Sequence, residues 1–279
     1  MNIGKFIRQS LSDYLNNPIM LLPFAIMGLI TTGLGIFSKY YLYSNLGLVY
    51  GATMDSLLTL GEIPFSLFPV LLKYSFLVFI SIIFLSFINS FFHAFAIGLA
   101  KKIAAGKTAE VSDGLSFIDA GFSVFSFKVL IWLFTSIGAV IIILPSLFLF
   151  GFFGLVFGGI LVVFYVLLLQ FVGFFGKQAV VLENLNAWAA LQRSYLVIKR
   201  NLENVLLLLG AYLFFFAAFF VFQKIFVSLA VFIISGFSLV VFTQAADFIF
   251  TFLILSPLFV IIKTSYFVKK APKQRVRAA

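Results

Sequence analysis

Apolar residues in this chain do not alternate with polar ones. Over long stretches they simply continue. Residues 19–37, 74–99, 129–149, 153–175, 205–222 and 245–267 form six such runs with few or no charges. A run of about 20 residues is long enough to cross the hydrocarbon core of a bilayer as a helix. Between the third and fourth runs only Pro145 and Gly151 interrupt the apolar pattern, which predicts a tight hairpin there. Residues 225–242 are apolar too. The preferred reading is a fifth helix extended to Ile234, a break at Ser235-Gly236 and an early start to the sixth, with a short interfacial helix as the alternative. A seventh span would carry the basic tail to the opposite face. The expectation is an all-α polytopic membrane protein, a single membrane domain over 1–268 followed by a basic tail, 269–279.

Charge orients the spans. With six crossings, only Lys39, Lys73 and Lys224 of the 19 basic residues fall on one side. Cytoplasmic loops carry the excess of Lys and Arg, so both termini are expected in the cytoplasm and the protein in the cytoplasmic membrane. The same rule accounts for a net charge of +10 without nucleic acid. The opening residues lack the short apolar core and small-residue cleavage site of a signal peptide. They are expected to form an interfacial helix, with Ile7, Leu11, Tyr14 and Leu15 on one side and Lys5, Arg8 and Ser12 elsewhere. Pro18 suits the first turn of the helix that follows.

Each pair of spans is thus led in by a segment of mixed polarity, giving three hairpins with interfacial lead-in helices. In the third lead-in, Trp188, Leu191, Tyr195, Ile198 and Leu202 recur at helical spacing, with Arg193, Arg200 and Glu203 off that stripe. Such a helix is expected to lie along the headgroups. Arg193, Lys199, Arg200, Lys269, Lys270, Lys273, Arg275 and Arg277 would then reach anionic lipid, at about 1 kcal/mol per basic residue near the surface. The succession Glu183, Ala187, Ala190, Leu191, Arg193, Ser194, Lys199 and Asn201 resembles that of prokaryotic multipass proteins related to the membrane domain of glycerophosphoryl diester phosphodiesterase. The stretch AKKIAAGKTAEVSDGL, through Gly106 and the restart near Asp113, is similar to the same group. What the resemblance implies is a membrane module of largely undefined role. The phosphodiesterase's soluble catalytic domain is not expected here, since a single histidine does not furnish that chemistry.

Composition narrows the chemistry. The chain is 63% hydrophobic and 10% charged, with no cysteine and one histidine. That excludes disulfides and thiol catalysis, and leaves no histidine cluster for zinc or for acid–base work. Nucleotide-binding glycine motifs and a GxSxG nucleophile elbow are absent from the sequence. Within the spans, Ser86, Asn89, Ser90 and His93 share a helical face. They read either as a polar path or as an interhelical hydrogen-bond patch, at about 0.6 kcal/mol per contact. Lys224 and Asp247 stand at the outer ends of spans five and six as a candidate ion pair, with Gln244 nearby. Gln170 has no evident partner in sequence. Gly154 and Gly158 form a GxxxG suited to close helix packing. Asp55 and Glu62, beside Tyr40, Tyr41, Tyr43 and Tyr50, read as a solvated outer loop. The expected function is non-enzymatic: a structural, assembly or accessory subunit with no cofactor or metal, in contact with anionic lipid and with a protein partner or a second copy. The alternative is a passive or ion-coupled transporter of an apolar or lipid-like solute.

Overall fold

A computed structural model describes residues 3–37, 67–231 and 236–271. Every regular element among them is helical. In chain order they are α1 (Ile3–Leu15), α2 (21–37, entered through a 3-10 turn at Pro18–Met20), α3 (Leu67–Ala104), α4 (Val111–Leu115), α5 (Gly121–Val172), α6 (Gly176–Glu183), α7 (Ala187–Arg200), α8 (Leu202–Val231), α9 (Gly236–Asp247) and α10 (Ser256–Lys270). A π-helical stretch, Phe248–Leu255, joins the last two. Five stretches are long and apolar enough to cross a membrane: Pro18–Phe37, Ser75–Ala104, Val111–Glu183, Leu202–Ala230 and Val241–Lys270. The six apolar runs of the sequence correspond to these five, because the third and fourth share the 73-residue stretch.

That stretch is not straight. Gly151 interrupts α5 at φ 56°, ψ −135°, a conformation that glycine adopts without the Cβ clash other residues meet. Contacts are nested around it. Gly154 abuts Ser146, the Tyr165 hydroxyl donates to the Phe134 carbonyl at 2.9 Å, and Gly176 abuts the Phe127 ring. The two legs therefore run back along each other. Pro145 lies inside the first leg, and the Ser146 hydroxyl donates to the Ile142 carbonyl at 2.7 Å. Ser146, Gly154 and Gly158 are buried in the seam, while Phe148, Phe152 and Phe153 are at least three-quarters exposed. The GxxxG pair thus packs one leg on the other within this chain. Bare phenylalanine is the expected exterior of an element whose solvent is lipid.

The described residues pack as two compact units, each built from separated segments. One comprises the described residues of 1–23, 90–215 and 257–279, the other those of 24–89 and 216–256. The first holds a close-packed core that includes Ala94, Ile97, Leu99, Val124, Phe175, Val180, Ala190, Val197, Ile261 and Tyr266, each almost fully buried. Phe175 stacks on Tyr266 at 5.5 Å, and Phe6 of α1 meets Tyr266 edge-on at 6.1 Å. Phe6 and Ser10 are therefore the buried line of α1, and Leu11 and Leu15 stay exposed. The buried line is thus offset from the expected stripe of Ile7, Leu11, Tyr14 and Leu15, whose two leucines are exposed. Burial pushes the Asp13 carboxyl up from its ordinary pKa, with nearby Lys269 opposing.

In the second unit, Gly28 of α2 lets the rings of Phe248 and Phe252 come against its backbone. The fifth helix extends past its 205–222 run to Val231 and helix resumes at Gly236, with the intervening residues, including Ser235 of the expected break, outside the described ones.

A Cβ on Gly154 would collide with the Ser146 backbone carbonyl, whereas one on Gly159 meets open space. Gly154→Ala is expected to destabilise the purified protein by about 1–3 kcal/mol through overpacking. Gly159→Ala is expected to be neutral or mildly stabilising. Unfolding midpoints in detergent that fall equally for both would remove the seam assignment.

Candidate functional site

Three short helices gather the polar chemistry of the first unit. At the end of α3, Gly106 adopts φ +73° and the Lys107 N–H reaches back to the Lys102 carbonyl at 3.3 Å, closing the helix with a left-handed turn. The chain restarts at α4 with a capping box in which the Asp113 carboxylate accepts from the Glu110 N–H at 2.9 Å. The same carboxylate takes the Lys102 ammonium at 2.8 Å. Gly98 and Gly114 let α3 and α4 close on each other through the rings of Phe117 and Phe95.

The second elbow repeats this scheme with more burial. α6 ends at Asn184 in the left-handed region (φ 50°), a conformation asparagine tolerates. Asn186 then caps α7, its side chain accepting from the Ala189 N–H at 2.9 Å. Arg193 donates two hydrogen bonds to Glu183, Nε at 2.7 Å and an Nη at 2.6 Å. The side chains are only 8% and 18% exposed. This corrects the expectation that Arg193 reaches lipid headgroups: it lies in the face of α7 that packs on the core, with Ala190, Leu191, Ser194, Val197 and Ile198. Lys199 and Arg200 are exposed. The expected stripe divides as well, since Leu191 and Ile198 are buried while Trp188 and Tyr195 are half exposed. Small Ala190 and Ser194 bring the helix axis close to its neighbours, and the large rings are turned outward.

Ser194 makes the closest link. Its hydroxyl donates to the Val172 carbonyl at 2.6 Å and accepts from the Phe175 N–H at 3.0 Å. Val172 ends α5 and Phe175 precedes α6, so one side chain satisfies a terminal acceptor and a terminal donor that would otherwise lack partners.

Beside this link lies a basic group that the sequence did not reveal. Lys128 at the start of α5, Lys177 in the first turn of α6 and Lys263 in α10 all bear electrostatically on His93 of α3, and Lys177 also on Lys128 and Lys263. All four residues are partly buried. The Lys263 ammonium sits over the Phe174 ring at 3.9 Å and near that of Tyr212 at 5.3 Å. In sequence these lysines only counted toward orientation. Lys128 and Lys177 stand on either side of the fold-back at Gly151 and Lys263 comes from α10, which a charge count does not convey.

Of the other expected site residues, Ser86, Asn89, Ser90 and His93 all lie on α3. Ser90 is fully buried and the Asn89 Oδ1 has no hydrogen-bond partner among the described residues. The Lys224–Asp247 pair does not form. Asp247 Oδ1 instead accepts from Thr251 at 3.1 Å and, more weakly, Gln223 at 3.5 Å, while the Lys224 ammonium lies over Phe220 at 5.2 Å. The outer-loop residues Tyr40, Tyr41, Tyr43, Tyr50, Asp55 and Glu62, and the tail residues Lys273, Arg275 and Arg277, lie outside the described residues. Among the described residues no group of three His, Cys, Asp or Glu is arranged to hold a metal ion. The chain matches no protein-family profile, no curated protein and no solved structure.

Removing one partner of a buried ion pair costs about 3–5 kcal/mol, because the other charge is left behind. Arg193→Ala and Glu183→Ala are each expected to lower stability by about that much, and the double variant by clearly less than their sum. Additive losses in a thermal-unfolding cycle would dissolve the pair as a structural clip.

Proposed function

We propose that the protein is a non-enzymatic integral membrane protein, a structural, assembly or accessory subunit of a membrane complex. Its six spans form three hairpins, each led in by an interfacial helix, with both termini in the cytoplasm. One observation supports the functional reading: five hydroxyls within the long apolar stretches are spent on carbonyls of their own helices. Thr31 donates to Met27, Ser81 to Leu77, Thr135 to Ile131, Ser146 to Ile142 and Thr243 to Leu239, all at 2.7–2.9 Å to backbone carbonyls. Groups committed in this way neither line a solute path nor assemble a catalytic constellation. The crevice within the first unit, bordered by Ile7, Phe174, Tyr212, Phe259 and Lys263, has room for about one water. The two clipped elbows, and the residue succession that resembles the phosphodiesterase-related membrane module, support a scaffold held in register at one membrane face. Lys199, Arg200, Lys269 and Lys270 are the described basic residues best suited to anionic headgroups there.

A specific feature favours a second reading, a transporter of an apolar or lipid-like solute. Phe248–Leu255 is π-helical inside the last long apolar stretch, with Asp247 at its start. Stretches of this kind recur at functional sites, and Asn89 keeps an unpartnered acceptor.

Native mass spectrometry after extraction in lipid-retaining detergent separates the two. A stoichiometric protein partner is the expected outcome. A lone protein carrying one specific solute or lipid would move the assignment to transport, with Asn89, His93 and Asp247 the first residues to change. Topology is testable because the chain contains no cysteine, so one introduced residue is the only thiol. Cysteines at Ser12 and at Ala278 are expected to be shielded from an impermeant thiol reagent in intact cells and labelled after lysis. Labelling of either in intact cells would reverse the orientation.

A further inference from the structure

The chain's two tryptophans, Trp132 and Trp188, are far apart in sequence, and the fold brings both to one level of the α5 hairpin. The Trp188 ring, on α7, meets the Phe134 ring of the first leg at 6.0 Å. Trp132 precedes Phe134 by two residues, so the two side chains leave the leg on roughly opposite sides. Tyr165 joins from the second leg, its hydroxyl donating to the Phe134 carbonyl at 2.9 Å. Trp132 is 39% exposed and Trp188 54%, so protein covers only part of either ring.

The exposed surface changes character at this level. Toward the tip, every exposed residue from Ile137 to Phe164 is apolar, and the first exposed polar side chains outside that run are Ser136 and Gln170. Beside Trp188, the turn between α6 and α7 presents Asn184 and Asn186, both exposed. α7 then runs from Trp188 beside Phe134 to Ser194 beside Val172, at the base of the hairpin, and on to the exposed Lys199 and Arg200. Bare asparagine is costly in hydrocarbon, and bare phenylalanine is not. An indole suits the line between them. Its body is apolar and its N–H is a donor in need of an acceptor. Phosphates and ester carbonyls of lipid headgroups supply one, and acyl chains do not.

We infer that Trp132, Tyr165 and Trp188 form an aromatic belt that contacts phospholipid where headgroups meet acyl chains, at the face by which the hairpin enters the bilayer. From Phe134 to Gly151 is about 17 residues, or about 26 Å of helix, so the tip ends just inside the far side of a hydrocarbon core about 30 Å thick. The inference rests on the membrane reading proposed above, in either its accessory or its transporter form.

Fluorescence quenching by lipid tests the belt in full-length protein reconstituted into phosphatidylcholine vesicles. The vesicles carry a doxyl spin label either beside the headgroup or near the acyl-chain end. Trp132→Phe and Trp188→Phe each leave a single tryptophan. Both remaining emissions are expected to be quenched at least about two-fold more strongly by the shallow label than by the deep one. If Trp188→Phe does not fold, the wild type serves, since both of its tryptophans are expected to be shallow. A bimane dye on Leu144→Cys, an exposed site nearer the tip and the only thiol in that chain, gives the control. It lies about 15 Å past Phe134, near the bilayer centre, and is expected to answer mainly to the deep label. With the dye deep, tryptophans that follow the deep label, or that escape both labels and are quenched by aqueous iodide, overturn the belt alone. A dye that the deep label does not quench preferentially overturns the belt together with the membrane reading on which it rests.

Discussion

The Ser194 hydroxyl holds together more of this protein than its size suggests. A helix that stops inside a packed region leaves carbonyls exposed at its end and amides exposed at the start of the next. Water is scarce at such a place, and leaving one of those groups unsatisfied costs several kcal/mol in an apolar setting. Ser194 answers both needs at once, accepting the Phe175 amide proton and donating to Val172. The Arg193–Glu183 pair, one residue away, fixes the helix that presents it. Once Phe175 is placed, its ring stacks on Tyr266 and draws α10 into the same core. The positions of Lys177 and Lys263 follow from that.

The two elbows solve one problem with different amounts of burial. Both must turn the chain sharply next to the apolar phase and begin a helix without leaving polar groups bare. Lys102 with Asp113 does this in a partly exposed setting, where the pair adds little beyond the cap it supports. Arg193 with Glu183 does it inside the core, where either charge alone would be intolerable. The bidentate geometry available to arginine, and not to lysine, suits the drier of the two sites.

The sequence made the helices legible because lipid imposes a single rule on length and polarity. Runs of apolar residues gave the long helices, and Pro145 and Gly151 gave the reversal. What the runs could not convey was which polar residues would meet. Arg193 looked like a headgroup contact because it lies off the apolar stripe that runs through Trp188 and Tyr195. Small Ala190 and Ser194 decide that face instead, since they permit closer approach than an indole ring. Lys128, Lys177 and Lys263 are far apart in the chain and looked alike in a charge count. Only the fold distinguishes them from the exposed Lys199 and Arg200. The Lys224–Asp247 pairing failed for a related reason: complementary charge at similar depth does not specify reach, and Thr251, one turn away, was closer to Asp247.

The reversal at Gly151 has a mechanical consequence. From Val129 to Leu169 the hairpin carries no ionisable acid or base other than the phenol of Tyr165, and its tip is phenylalanine and leucine on both sides of the glycine. Polar and amphipathic side chains normally hold a helix end at a fixed headgroup level. This end has none, and its leg lengths are set by the seam of Ser146, Gly154 and Gly158. If the two legs cross a bilayer as proposed, a thicker one leaves the tip below the far surface and a thinner one tilts it. Such a hairpin would be fastened at its polar end only, so hydrophobic mismatch would be felt at the elbows and not at the tip.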